Sequence, residues 1–285
     1  MAQIVYTREV ETPFGRLLSP PRLAADLLRH REVLRAFIKR DFHATYRGTY
    51  LGVAWALLSP LIMLALFSFV FGGIFHGRFT SDPNETGADF ALAMFIGLSL
   101  FNCLGQSLGS APTLVLSNSA YVKTLNFPLQ VLPVSAVVQT MINMGIGLVL
   151  CLVIFLALHG VFYPATVCLL PIAVCVALLS LGCSWFLSAV GVFLRDTPSI
   201  VGPITTVLMF MSAVFFPINS VPVRARWFVK INPLAVMIDQ ARGALMFGKW
   251  PDFKSLGIVA AASIVVAVLG YAAFMRMKPA FADVI

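Results

Sequence analysis

From Leu125 to Leu194 the chain runs for seventy residues without Asp, Glu, Lys or Arg. Crossing the hydrocarbon core of a bilayer as a helix takes about 20 apolar residues, so this stretch is too long for one crossing. Gly160 and Pro164, in HGVFYPA at 159–165, break it. Two spans are expected, about 133–158 and 168–193, joined by a short loop. Inside lipid the backbone must satisfy its own polar groups, and a helix does so within one segment. Similar apolar stretches predict further spans at about 51–75, 90–115, 199–216 and 256–274. Only 11% of residues are charged, against roughly 25% in soluble domains, and the mean hydropathy is +0.91. The chain reads as an all-α integral membrane protein with six transmembrane helices.

Three parts follow: an arm over 1–50, a transmembrane region over 51–275 and a tail over 276–285. Met1 to Tyr50 shows no apolar core with a small-residue cleavage site, so the arm is expected to be retained on the cytoplasmic side. With both termini inside, the inner segments hold 13 Lys and Arg and the outer ones 7. That bias follows the positive-inside rule. The last outer segment, 217–254, opposes it with six basic and two acidic residues. It is also too apolar for an ordinary loop. IDQARGALMFG reads as a short amphipathic helix. Asn232-Pro233 before it is a start signal, with Asn as N-cap and Pro at the first helical position. We expect short re-entrant helices here, dipping into the outer half of the membrane and buried against protein. Gly48/Gly52 and Gly105/Gly109 form GxxxG pairs that would allow close helix contact.

Residues 22–47 carry seven basic and three acidic side chains. Leu23, Leu27, Leu34, Phe37, Ile38 and Phe42 share one helical face. A basic amphipathic helix of this kind lies in the headgroup region. It anchors the chain and sets topology, and its cationic end, Arg40 and Arg47, is placed to meet an anionic lipid at a channel entrance. The two readings are compatible.

What is missing narrows the class. Charges inside membrane spans mark proton relays and ion paths, and these spans hold almost none. There is no GxxxxGK[ST] phosphate loop, no HExxH and no apparent Ser/His/Asp set. His30, His43, His76 and His159 all sit near expected membrane surfaces. Cys103, Cys151, Cys168, Cys175 and Cys183 lie in apolar stretches without CxxC spacing, which reads as packing rather than metal or redox chemistry. Transport work would need energy from another subunit. The inner loop around Ser117 to Gln130 is either a plain connector or the seat for such a subunit.

Five stretches carry a family resemblance: RDF…YRGTYLGVAW…SPL (40–61), NFPLQVLPVS (126–135), FLRD (193–196), SAVFFPINSVP (212–222) and INPLAVMIDQARGALMFG (231–248). In order and spacing the chain resembles the permease subunit of ABC-2-type polysaccharide exporters, which carry lipid-linked O-antigen, capsular polysaccharide or teichoic acid. The resemblance implies a homodimer enclosing a continuous channel in the bacterial inner membrane. It implies two separate ABC ATPase subunits, which would hold the ATP and Mg; this chain would bind no cofactor or metal and catalyse nothing. The arm would be the interface helix, with the lipid phosphate of the substrate near Arg40, Arg47 and Tyr46. Tyr121, Lys123, Asn126, Phe127 and Pro128 would couple to the ATPase. Pro217, Asn232, Pro233 and Arg242 would belong to an outer gate.

Sugar rings stack on aromatic faces, and stacking tolerates sliding. Trp55, Phe67, Phe71, Phe210, Phe215 and Phe216 are candidates to line the path, although most membrane aromatics pack or sit at the interface. The partners expected are therefore the ATPase, a second copy, a lipid-linked polysaccharide and membrane lipid. The basic excess is assigned to topology and lipid headgroups rather than nucleic acid. Two alternatives remain: an ABC-2 permease for a small lipid or drug, and a membrane-embedded lipid-modifying enzyme, for which the spans lack the acidic and histidine residues.

Overall fold

The computed structural model describes residues 20–46, 50–74, 79, 85–123, 127–222, 224 and 226–285. The arm forms α1 (Pro20–Arg29) and α2 (Arg31–Tyr46). The single helix expected over 22–47 is interrupted at His30. The hydrogen-bond ladder still crosses the junction, from His30 N–H to the Asp26 carbonyl and from Leu34 N–H to the His30 carbonyl. The apolar face does not simply meet headgroups: Phe37 is buried, and Leu23, Leu27 and Leu34 pack with it against the bundle.

Helix α3 (Gly52–Ile74) starts with a tight turn at Gly52, where φ is +51°. It ends in a π-helical stretch, Ser68–Ile74. Next, α4 (Gly87–Leu114) is started by a reciprocal cap. The Thr86 hydroxyl accepts from Asp89 N–H, and the Asp89 carboxylate accepts from Thr86 N–H, so two otherwise orphaned donors are satisfied.

The long uncharged run folds into α5 (Val131–His159) and α6 (Pro164–Phe193). Gly160 ends α5 in the left-handed conformation at φ +67°, and its N–H returns to the Leu156 carbonyl. Pro164 begins the next helix, where its missing N–H costs nothing.

The fifth expected span is shorter than its hydropathy. Helix α7 (Thr197–Met211) has 15 residues, which rise about 22 Å, short of the ~30 Å hydrocarbon core. The expected end was Phe216. Ser212 leaves the helix, and Ala213 takes a positive φ of 52°. The chain then makes two short helices, α8 (Arg226–Ile231) and α9 (Pro233–Met246), before α10 (Phe253–Met277). Among the described residues, five helices are long and apolar enough to cross a membrane.

The core is built on α4. Met94, Ile96 and Leu100 are fully buried against Ile172 and Val176 of α6, and Met237 and Ile238 of α9 belong to the same cluster. By contrast only 6% of the most apolar window of α3 is buried, against 78% of α4. Leu57, Leu61, Ile62, Met63 and Leu66 remain exposed, so α3 stands at the periphery of the chain.

A second core ties the arm to the tail, with Phe37, Trp185, Tyr271, Phe274 and Phe281 buried together. Asp26 accepts from the Gln130 amide and from the Tyr271 hydroxyl, each at 2.9 Å. The Trp185 indole donates to the Gln130 carbonyl at 3.1 Å. Both the arm and the tail therefore sit at one end of the bundle, here called the arm end. The α7–α10 turnings lie at the far end.

Among the described residues the closest helix approach is not at Gly105 and Gly109; Gly48 of the other GxxxG pair lies outside the described residues. On α6 and α10, Gly182 and Gly270 pack backbone to backbone; a Cβ on Gly270 would strike the Gly182 carbonyl, and one on Gly182 would strike that of Val266. Around a Cβ at Gly109 there is open space within 4 Å. Gly182→Val is expected to separate these helices and cost about 1–3 kcal/mol or more. Gly109→Ala should be neutral. Thermal unfolding of the two purified variants in detergent checks this, and an unchanged midpoint for Gly182→Val contradicts the packing.

Candidate transport path and its two ends

One face of α4 conflicts with a lipid environment. Asn102, Gln106, Ser110 and Thr113 fall at helical spacing along one side, and all four are exposed. The Ser110 hydroxyl donates back to the Gln106 carbonyl at 2.9 Å, and the Thr113 hydroxyl to that of Ser110 at 3.3 Å. Such back-bonding reduces the polarity of the hydroxyls but does nothing for the two amides. An unsatisfied amide facing hydrocarbon costs several kcal/mol, so this face belongs against water or protein.

The stripe is flanked by α3 and α7. On one side, Thr205 of α7 approaches Gly105. On the other, a cavity of about 340 Å³ opens between α3, α4 and α5, lined by Trp55, Ser59, Asn102, Gln106, Thr140 and Asn143. Thr140 also bonds the Ser107 hydroxyl at 3.1 Å deeper in the core. These polar residues were not singled out in the sequence, although their four-residue spacing within an apolar span was the available signal.

The aromatic candidates divide. Trp55 is on the cavity wall. Phe210 is 56% exposed beside Phe215 on α7. Phe67 and Phe71 instead pack inward, Phe71 against Phe90 at 5.8 Å. Phe215 packs on the main core and Phe216 on the small cluster of Ala213, Ile218, Val229 and Ala235.

At the arm end, two sets of residues expected to act separately form one cluster. Phe37 of α2 meets Tyr121 at 5.3 Å and Phe127 at 5.5 Å, and Tyr121 stacks on Phe127 at 4.8 Å. The Arg40 guanidinium lies 4.1 Å over the Phe37 ring and reaches the Tyr121 hydroxyl at 3.5 Å. It is also paired with Asp41 at 2.8 Å, which offsets its charge for any phosphate. Pro128 is buried beneath, and Lys123 is exposed at the end of the helical turn Ser119–Val122. Tyr46 is the last residue of α2. Arg47 and Asn126 lie outside the described residues.

The far end depends on Arg242 of α9, which is 3% exposed. Its Nε donates to the Ala93 carbonyl of α4 at 2.7 Å and its Nη1 to that of Ala213 at 2.8 Å; Nη2 donates to that of Val214. Phe79 covers the guanidinium at 4.4 Å. Gly97 provides the room, since a Cβ there would run into Nη2. One side chain thus satisfies two carbonyls of the turn that follows α7 and fastens that turn to α4 and α9. Asn232 works alongside it: its Oδ1 caps Leu234 N–H at 3.0 Å and its Nδ2 donates to the Ser212 hydroxyl at 2.9 Å. Pro233 follows at the first helical position, and Pro217 starts the turn Ile218–Ser220. At the start of α10 the Ser255 hydroxyl and the Lys254 N–H hold the Asp252 carboxyl below the usual carboxylate range.

An exposed polar stripe inside an apolar bundle, with a tied arm at one end and interrupted helices at the other, is the arrangement of a membrane transport subunit. The chain belongs to the ABC-2 type transporter family, whose model matches residues 32–246. It is 27% identical over 265 residues to the O-antigen export system permease protein RfbA of Myxococcus xanthus, covering 92% of this chain and 98% of that one. It is 23% identical over 256 residues to RfbA of Klebsiella pneumoniae, covering 89% and 95%. It is 24% identical over 251 residues to the polysialic acid transport protein KpsM of Escherichia coli, covering 87% and 94%.

Arg242→Met is expected to leave the Ala213 and Val214 carbonyls without their donor, at about 1–3 kcal/mol each. Arg242→Lys should recover only part, because an ammonium cannot reproduce the planar fork. Thermal unfolding in detergent reads both. A wild-type midpoint for Arg242→Met contradicts the role assigned to this side chain.

Proposed function

We propose that this chain is the membrane permease of an ABC exporter that moves a lipid-linked polysaccharide, of the O-antigen or capsule type, across the bacterial inner membrane. The observation that carries the reading is the exposed face of α4. A chain with Asn102 and Gln106 on its surface in mid-span, beside a barely covered α3, is complete only when a second copy encloses that face. Two copies related by a twofold axis bring two such faces together around one path. Relatives named for O-antigen export and polysialic acid transport support the choice of polymer.

In this reading the arm end is cytoplasmic, with both termini inside, and the far end faces outward. Two copies of a separate ATPase bind ATP and Mg and dock at the arm end. The aromatic contact of Phe37 with Tyr121 and Phe127 then joins the substrate arm to the coupling loop. A push on the loop moves the arm, because the three rings pack as one body. The lipid phosphate enters beside Arg40 and Arg47, and the sugars slide past Trp55 and Phe210. The two interrupted helices α8 and α9, fixed by Arg242, dip into the outer half of the membrane as a gate.

The test is to purify the tagged chain in mild detergent and identify its companions. The expected result is a stoichiometric ABC ATPase and ATP turnover that lipid-linked polysaccharide increases. A chain that crosslinks to no ATPase in cells contradicts the exporter reading.

A further inference from the structure

At the far end, apart from the α4 stripe, lies a second polar cavity of about 470 Å³, within the about 300–1,000 Å³ range of small-molecule sites. Its wall comes from the end of α8, one side of α9, the turn 249–252 and the first turn of α10. Asp239, Gln240, Lys230, Lys249, Trp250 and Asp252 carry its chemistry.

The turn that displays Trp250 is fixed. Gly248 has φ +61° and packs on the Tyr163 ring so closely that any Cβ would collide. Lys249 N–H is tied to the Gly243 carbonyl at 2.9 Å. Trp250 nevertheless stands 62% exposed at the rim, so an aromatic face is held in place without being used for packing. Gln240 lines the cavity; its Oε1 is closed to solvent and has no hydrogen-bond partner among the described residues, so rotation of the amide toward a bound ligand would supply the donor it lacks. A buried acceptor left open in this way lowers the stability of the chain unless a ligand or water supplies the donor.

Among the described residues the lining holds two carboxylates and two ammonium groups and no arginine. A phosphate group would call for excess positive charge and forked donors, and an acyl chain for an apolar wall. The ligand that uses this set is one with many hydroxyls, each able to donate and accept, and a C–H face for the indole. We propose that this cavity is a saccharide subsite, in which one sugar residue stacks on Trp250 and hydrogen-bonds Gln240 and Asp239. The assignment rests on the exporter reading, and it places the site where the polymer leaves the membrane. A sugar held there opposes backward sliding of the chain between strokes.

The test uses the full transporter complex in lipid nanodiscs, titrated calorimetrically with lipid-free oligosaccharides cleaved from the host cell's own surface polysaccharide. Saturable binding is expected. Trp250→Ala should weaken it about tenfold with an unchanged unfolding midpoint, and Gln240→Leu about three- to tenfold with a midpoint unchanged or raised, because it removes a buried acceptor that lacks a partner. Inorganic phosphate and empty nanodiscs should neither bind nor compete. Absence of saturable binding to the wild type, binding that both variants retain unchanged, or displacement by phosphate overturns the subsite. A complex that hydrolyses ATP and exports polymer without binding these oligosaccharides removes the subsite alone and leaves the exporter. Trp250-dependent binding by a chain with no ATPase partner supports the subsite and removes the exporter.

Discussion

Arg242 holds the turn that follows α7 inside the chain's own apolar body, bonding the Ala213 and Val214 carbonyls there and the Ala93 carbonyl of α4. A helix end releases backbone acceptors, and within a bilayer no water is at hand to meet them. Met211 is such an end. Ala213 takes a backbone conformation that costs a non-glycine residue roughly 1–2 kcal/mol, and its carbonyl turns toward the guanidinium. Because the same group also bonds Ala93 of α4, the interrupted region is fixed to the most buried helix. Removal of that one side chain would unfasten the turn at Ala213 and Val214 from α4, while α9 stays packed through Met237 and Ile238.

The arm end is organised differently. Its contacts are mostly apolar rings, with one carboxylate, Asp26, reaching both Gln130 and Tyr271. Rings packed this closely move together, so the arm and the loop behave as one body. The two ends therefore suit different tasks in the proposed exporter: a unit that moves as a whole where the ATPase pushes, and a hydrogen-bonded frame where the polymer leaves. Between them runs the polar stripe of α4, which neither end accounts for. It makes sense only with a hydrated path or a second copy against it.

Much of this was legible in the sequence because lipid leaves few choices. Uncharged length fixed the long spans, Gly160 and Pro164 fixed the break between α5 and α6, and Asn232-Pro233 fixed the start of α9. The family resemblance singles out Arg242, but its partners are carbonyls, which every residue carries and no pattern reveals. The early end of α7 was hidden for a related reason. Residues 213–216 remain apolar, and the turn they form is held by a guanidinium 28 and 29 residues away in the chain. The merging of Arg40 with Tyr121 and Phe127 depends on contacts 81 or more residues apart in the chain. The α4 stripe was readable in principle, and was masked by the strong apolar average around it.

The central claim is that the Asn102–Gln106 face borders water within the membrane. It is tested most directly by thiol accessibility, in a chain whose five cysteines are replaced by serine. Gln106→Cys on α4 and Leu269→Cys on α10 both lie about two turns from the arm end, and both are exposed on the single chain. In the assembled transporter, a charged membrane-impermeant thiol reagent should modify Gln106→Cys rapidly and leave Leu269→Cys untouched. Equal protection of the two positions would place the stripe against lipid or dry protein and contradict the account.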